Sequence, residues 1–198
     1  FGGRWLERSP MELYRENISR FRPIVRCQEK EEDPHRVLDR GELPRLSALS
    51  LHSGTVYRWN RLCYGVADGV GHLRIENRAL PSGPSITDEV ANAALFFGLM
   101  VGLEGPYREI HRHLRFDDAK ANFFKAARHG LDAQLRWLDG KSHPAGRLVT
   151  DVLLPAARVG LERMDVDLDD IEHYLGVIEA RVRSERTGSP WVLDSLVA

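Results

Sequence analysis

Residues 55–80 read Thr-Val-Tyr-Arg-Trp-Asn-Arg-Leu-Cys-Tyr-Gly-Val-Ala-Asp-Gly-Val-Gly-His-Leu-Arg-Ile-Glu-Asn-Arg-Ala-Leu. Residues 55–66 are rich in β-branched and aromatic side chains, and residues 72–80 again resemble a strand. Between them, Ala67-Asp68-Gly69 supplies a turn, and Asp-Gly between two strand-like runs is a strong hairpin signal. The stretch therefore predicts an antiparallel β-hairpin over about residues 55–80.

One face of the second predicted strand carries a distinctive charge pattern. Because side chains alternate along a strand, Arg74, Glu76 and Arg78 share one face. Each guanidinium is then about 6.5 to 7 Å from the carboxylate along the strand, and such a face suits anions and a divalent cation. A solvated salt-bridge ladder explains the same spacing, because exposed Arg–Glu pairs are common and contribute little stability. The spacing leaves both interpretations open.

The first predicted strand adds Arg58 and Arg61, which a hairpin brings across from residues 74–78. Several arginines on one face repel each other unless a highly charged anion lies between them. A polyphosphate, with Glu76 holding a hard cation against it, resolves that conflict, since Mg²⁺ commonly bridges substrate phosphates through one or two carboxylates.

Composition narrows the class of protein. The chain has 198 residues, 42% apolar and 29% charged, with a formal net charge of -1, which is typical of a soluble globular protein and predicts neither a nucleic-acid nor a membrane partner. The most apolar segment, residues 90–103, is shorter than the ~18 to 20 residues of a membrane span. Cys27 and Cys63 lack metal-ligand spacing, which favours small buried residues in a reduced, cytoplasmic protein.

The rest of the chain has helical patterns. Ser9-Pro10-Met11-Glu12 has the signature of a helix start, and that helix is expected to run to about Phe21. Thr87-Asp88-Glu89 is expected to cap a long, buried helix that ends near Leu103. Further helices are predicted at about residues 106–114, 117–128, 144–162 and 167–186, separated by Gly130, Gly140 and Gly160, with a kink or break at Pro155.

These elements predict an α+β fold that is mostly helical with a small antiparallel β-sheet. We expect a single fragment, residues 1–198, with a hairpin core at residues 50–82 and a helical remainder at residues 84–198. The chain does not begin with Met, which suggests a piece of a longer protein.

The chain resembles the glutamine synthetase-like carboxylate–amine ligases, and most closely the bacterial glutamate–cysteine ligase family 2. The resemblance covers nearly the whole chain and implies a glutamine synthetase-like catalytic fold. It rests on these stretches: His52-Ser53-Gly54-Thr55, Tyr57-Arg58-Trp59-Asn60-Arg61, His72 to Pro84, the Ala-rich helix ending Gly102-Leu103-Glu104-Gly105, and the tail from Tyr174 to Trp191.

The resemblance implies a role for each site residue. Arg74 matches an arginine that contacts nucleotide phosphates, and Glu76 matches a ligand of an active-site Mg²⁺ or Mn²⁺. Arg78 matches the arginine that neutralises the acid substrate or the transferred phosphoryl group, and Arg61 is a second catalytic candidate. The other candidates are Arg58 and Asn60 for binding the cofactor ATP, and His52 for contact with substrate.

The implied reaction is part of glutathione biosynthesis. ATP phosphorylates the γ-carboxylate of glutamate, and an amine such as cysteine attacks the acyl phosphate. Catalysis depends on positioning and charge neutralisation. The family takes further glutamate metal ligands from a half of the sheet outside these residues, so the isolated 198-residue chain is expected to be inactive.

Two other interpretations remain open. One is a non-catalytic relative that binds a nucleotide or an amino acid, and the other is a structural helical module with a solvated Arg/Glu ladder. An exposed sheet edge also makes a homo-oligomer possible.

Overall fold

A computed structural model describes residues 2–25, 32–80, 83–105 and 107–197. The chain divides into two compact units, the hairpin unit (residues 1–80) and the helical unit (residues 81–198). The predictions for Cys27 and for a helix start at Pro106 fall outside the described residues.

The predicted α+β class is confirmed. The described chain is mostly helical and carries two small antiparallel two-stranded sheets. No helix among the described residues is long and apolar enough to cross a membrane. The elements of the hairpin unit are α1 (Met11–Arg20), α2 (Pro34–Asp39), α3 (Ser47–Thr55), β1 (Asn60–Ala67) and β2 (Val70–Asn77).

The hairpin forms around the predicted turn. β1 and β2 pair antiparallel, with Ala67 opposite Val70, so Asp68 and Gly69 form a two-residue loop. Both have positive φ, 52° and 76°, as a type I′ turn requires. This turn twists in the same sense as the strands and sets the register of the sheet.

The first strand begins later than predicted: residues 47–55 form α3, and residues 56–59 connect it to β1. His52, Ser53 and Gly54 lie in this helix. Val56 follows the helix and is only 3% exposed. Its β-branched side chain is therefore buried in the connection between α3 and β1 and is not part of the strand. The β-branched composition of residues 55–59 was misleading for this reason.

The predicted start of the first helix is confirmed. The Glu12 carboxylate accepts hydrogen bonds from the amides of Arg8 at 2.7 Å and Ser9 at 3.1 Å, and the Ser9 hydroxyl accepts one from the amide of Met11 at 3.2 Å. These contacts satisfy amides that have no partner within the helix. α1 buries Tyr14 and Asn17.

The helical unit is built around three helices, α4, α8 and α9. Its core consists of Ala91, Leu154, Ala157, Leu161, Ile171, Leu175 and Ile178. The elements of this unit are α4 (Ile86–Gly102), α5 (Ile110–His113), α6 (Phe116–His129), β3 (Gln134–Arg136), β4 (Ser142–Pro144), α7 (Ala145–Leu148), α8 (Leu154–Arg163), α9 (Leu168–Arg183) and α10 (Gly188–Val197).

Gly160 does not separate two helices, as the sequence predicted. It lies inside α8 and is buried. A β-carbon on Gly160 would overlap the backbone of Gly98 and Gly102 in α4. The glycines therefore allow the backbones of α4 and α8 to come into direct contact, which no helix-period pattern predicts.

Pro155 causes the predicted irregularity without breaking the helix. Residues 149–153 form a π-helical turn between α7 and α8, and Pro155 lies in the first turn of α8. Proline has no N–H to donate and its ring clashes with the carbonyl four residues earlier. The wider π turn accommodates both effects. The short hairpin of β3 and β4 was not predicted, because its strands have only three residues each.

Candidate functional site

Arg61 and Arg78 hold Glu76 between them. Arg61 lies directly opposite Glu76 in the ladder of β1 and β2, as the hairpin prediction required. Its Nη2 binds one carboxylate oxygen, and Nε of Arg78 binds the other. Arg78 follows the last residue of β2, and its amide donates to the carbonyl of Trp59 at 2.7 Å. The ladder thus continues through Arg78 and keeps its side chain on the face of Glu76.

Arg61 has further contacts with α3. Its Nη1 donates a long hydrogen bond, 3.4 Å, to the carbonyl of Ser53 near the end of that helix. Its Nε is buried and has no hydrogen-bond partner among the described residues. The guanidinium is therefore held by its two terminal nitrogens, and one buried donor is left unsatisfied.

Arg78 is positioned by an aromatic ring that the sequence analysis did not assign to the site. Its guanidinium carbon lies 5.3 Å from the centre of the Tyr57 ring, within cation–π range. Tyr57 and Trp59 belong to the stretch predicted as the first strand, but they precede β1 and are 76% and 39% exposed. Interleaved arginine and aromatic residues were the available signal for this contact.

The two arginines keep Glu76 ionised. The hydrogen bond from Arg78, followed by that from Arg61, lowers the pKa of Glu76 below its ordinary value. Glu76 and its two arginines together carry one net positive charge. Because both guanidiniums donate to fixed oxygens, their orientations are set before any ligand binds.

Arg74 adds an available cation to the same face. It lies opposite Cys63, two residues before Glu76 on β2, and its side chain is exposed. Arg74 has no ion pair with any residue that the structure describes. With Arg74 included, the face carries a net charge of about +2 at neutral pH, which complements a phosphoryl group.

Arg58 does not present its guanidinium to this face. It is only 7% exposed, and its Nη1 donates to Oδ1 of Asn17 at 2.7 Å and to Oε2 of Glu16 at 3.2 Å. Its guanidinium carbon also lies 5.7 Å from the ring centre of Phe21. Arg58 therefore fastens the segment before β1 to α1, and its predicted contact with ATP does not fit this position.

His52 and Asn60 occupy simpler positions. Nε2 of His52 lies 2.9 Å from the carbonyl oxygen of Phe21, and because a carbonyl only accepts, this nitrogen carries the hydrogen. The ring thereby satisfies a free carbonyl after α1, which is a structural role. Asn60 is the exposed first residue of β1, opposite Asn77, and its amide remains accessible to a ligand.

Glu76 is the carboxylate that the resemblance assigns to a divalent metal ion. Both oxygens of Glu76 are bound to guanidiniums, and two permanent cations repel a third. Within the described ranges, no group of three or more His, Cys, Asp or Glu side chains is placed to hold a metal. The metal-binding role of Glu76 stays a prediction, which this arrangement of Arg61 and Arg78 does not favour.

Comparisons of the chain with models of known protein families, with curated proteins and with solved structures find no match. The resemblance to carboxylate–amine ligases therefore still rests on the residues quoted above.

Proposed function

We propose that Arg61, Arg74 and Arg78 form one side of the active site of an ATP-dependent carboxylate–amine ligase similar to glutamate–cysteine ligase. We call these three residues the arginine wall. The observation that carries the proposal is the arrangement of Arg61, Glu76 and Arg78, with the available cation of Arg74 on the same face. The resemblance of residues 52–61 and 72–84 to the ligase family supports it.

Each arginine has a distinct task in this proposal. Arg74 contacts the phosphates of ATP. Arg61 and Arg78 neutralise charge at the phosphoryl group that passes from ATP to the γ-carboxylate of glutamate, with ADP leaving. An amine such as cysteine then attacks the acyl carbon, and phosphate leaves. Glu76 aligns the two guanidiniums, so they need little reorganisation when charge develops on the phosphoryl oxygens.

ATP binding to the 198-residue chain tests the proposal. Isothermal titration in low salt is expected to give a dissociation constant that rises at least tenfold in both Arg74→Ala and Arg78→Ala, since each variant removes a charged contact. Arg115→Ala is the matched control, because Arg115 is similarly exposed and lies in the helical unit. Equal affinity in all four proteins would discard the arginine wall.

A non-catalytic relative that binds a nucleotide or an amino acid is the second candidate. The two guanidiniums that already bind both oxygens of Glu76 favour it, since they hold the carboxylate in an ion-pair network. Measurement of ADP release by the full-length gene product with ATP, glutamate and cysteine separates the two candidates, because only a ligase turns over. We expect the 198-residue chain to bind ATP without releasing ADP, and glutamate-dependent ADP release would contradict that expectation.

A further inference from the structure

The helical unit has a cleft of about 410 Å³ that is lined by the hairpin of β3 and β4, by α7 and by the π-helical turn after it. Its size is typical of small-molecule sites. The lining includes the apolar side chains of Trp137, Leu148 and Val152, and Leu148 is only 3% exposed. Val152 belongs to the π-helical turn at residues 149–153, and such turns are frequent at functional sites. The cleft therefore offers an apolar surface to a small ligand.

His143 adds a hydrogen-bond acceptor to the lining of this cleft. Its Nε2 lies 2.9 Å from Oδ2 of Asp139, and the amide of Lys141 donates to Oδ1 of the same carboxylate at 2.9 Å. The bond from that amide, and then the one from His143, lowers the pKa of Asp139 below its ordinary value of 3.8. Asp139 is therefore ionised at neutral pH and only accepts, so Nε2 carries the hydrogen. Nδ1 of the neutral ring is left as an acceptor, and it has no hydrogen-bond partner among the described residues.

Arg147 and Asp151 add two opposite charges to the same cleft. Nη1 of Arg147 lies 3.8 Å from Oδ2 of Asp151, and both side chains are more than half exposed. This separation is longer than a hydrogen bond, so the guanidinium and Oδ2 each keep their capacity to bind a ligand. The other oxygen of Asp151 accepts from the hydroxyl of Thr150 at 2.8 Å, which leaves the charge of the carboxylate uncompensated.

We propose that this cleft binds a free α-amino acid with an aromatic or branched apolar side chain. The carboxylate of the ligand binds the guanidinium of Arg147. Its ammonium group donates to Oδ2 of Asp151 and to Nδ1 of His143. Its apolar side chain packs against Trp137 and Val152.

The neighbouring opposite charges select a zwitterion over a ligand with a single charge. An anion bound to Arg147 alone would lie close to the carboxylate of Asp151 and would be repelled by it. A cation bound to Asp151 alone would be repelled by Arg147 in the same way. An α-amino acid brings an anion and a cation that are joined by one carbon, so each charge of the cleft gains an opposite partner.

Calorimetric titration of the 198-residue chain with a series of ligands tests the proposal. We expect saturable binding of L-phenylalanine or L-leucine. The dissociation constant of L-phenylalanine is expected to be at least tenfold lower than that of L-phenylalaninamide, which lacks the carboxylate, and that of N-acetyl-L-phenylalanine, which lacks the ammonium group. L-Alanine keeps both charges without the apolar body and is also expected to bind at least tenfold more weakly. Equal affinities across the series, or no binding of either apolar amino acid at its solubility limit, would overturn the proposal.

Variants of the exposed charges then locate the site. Arg147→Gln and Asp151→Asn are each expected to raise the dissociation constant of L-phenylalanine at least tenfold, because each removes one charged contact. Arg112→Gln is the matched control, since Arg112 is also an exposed arginine in a helical ion pair, with Glu109, and does not line the cleft. Wild-type affinity in Arg147→Gln, or an equal loss in Arg112→Gln, would overturn the site. The arginine wall belongs to the hairpin unit, so ATP affinity is a separate measurement and the two proposals can fail independently.

Discussion

Nη2 of Arg181, near the end of α9, donates a 2.6 Å hydrogen bond to Oδ1 of Asp88 in the first turn of α4. Nη1 of the same guanidinium donates to Oδ1 of Asn92 at 2.8 Å. The hydroxyl of Ser85, at the start of α4, donates to the other oxygen of Asp88 at 2.6 Å. One carboxylate therefore joins the start of one core helix to the end of another.

This carboxylate predicts a specific loss of stability in acid. The hydroxyl of Ser85 and then the guanidinium of Arg181 hold the pKa of Asp88 below its ordinary value of 3.8. Because the folded-state pKa is lowered, the stabilisation is complete above the unfolded value and disappears as pH falls through the folded value. We expect Asp88→Asn to lower the free energy of unfolding by about 1–3 kcal/mol at pH 7, and the difference to shrink below about pH 4. Urea unfolding of both proteins across pH measures this, and a pH-independent difference would contradict it.

Two arginines of the hairpin unit are expected to differ sharply in their effect on stability. Arg58→Ala leaves Asn17 buried without its partner and is expected to cost about 3 kcal/mol. Arg74→Ala changes an exposed side chain with no ion pair among the described residues, so its effect on stability is expected to stay within about 0.5 kcal/mol. Chemical denaturation of both variants checks the contrast, and similar losses would show that Arg58 is not the structural anchor.

Glycine-to-alanine substitution is expected to have opposite effects at two positions, one in the contact between α4 and α8 and one outside it. A β-carbon on Gly102 would overlap the carbonyl of Ala156, so Gly102→Ala is expected to separate the helices and cost more than about 3 kcal/mol. Gly176 lies within α9, and a β-carbon there meets nothing within 4 Å. Gly176→Ala is expected to stabilise the protein by about 0.5–1 kcal/mol. Thermal unfolding of both variants checks the prediction: the midpoint temperature should fall for Gly102→Ala and rise for Gly176→Ala, and changes in the same direction would contradict it.

His52 is expected to act as a hydrogen-bond donor and not as a substrate ligand. His52→Leu removes the bond to the carbonyl of Phe21 and is expected to cost about 1 kcal/mol. His52→Gln keeps a donor on a long side chain and is expected to recover most of that loss, with ATP affinity unchanged in both. If His52→Gln restores stability and leaves the affinity for ATP unchanged, the structural role is supported. A lower affinity of His52→Gln for ATP would contradict it.

Local chemistry made the hairpin predictable. Asp68 and Gly69 tolerate positive φ, which few other residue pairs do, and the turn then determines which residues of the two strands face each other. The pairing of Arg61 with Glu76 follows from that register. The helix start at Ser9 is local in the same way, since the Ser9 hydroxyl bonds to an amide two residues away. The long helix was predicted to be capped at Thr87-Asp88-Glu89, but its cap is Ser85, whose hydroxyl accepts from the amide of Asp88.

Long-range packing decides the surroundings of Arg58 and Tyr57, which the sequence pattern does not reveal. Arg58 follows the same pattern of charges and aromatic residues as Arg61, yet its guanidinium is buried against α1, 41 positions away from it in the chain at Asn17. Tyr57 has strand-like chemistry but lies outside the strand, where it holds Arg78. The spacing of residues in the sequence does not predict these contacts, because the partner of each side chain lies in another element.

By itself, the sequence of this protein determined the α+β class, the turn of the hairpin and the charged face on β2, because these depend on backbone preferences and on alternation within a few residues. Only the tertiary structure decided that Gly160 lies within a helix contact, that His52 caps α1 and that both oxygens of Glu76 are occupied by arginines. The physical reason is that each of these outcomes depends on which atoms from distant parts of the chain compete for the same space or the same hydrogen bond.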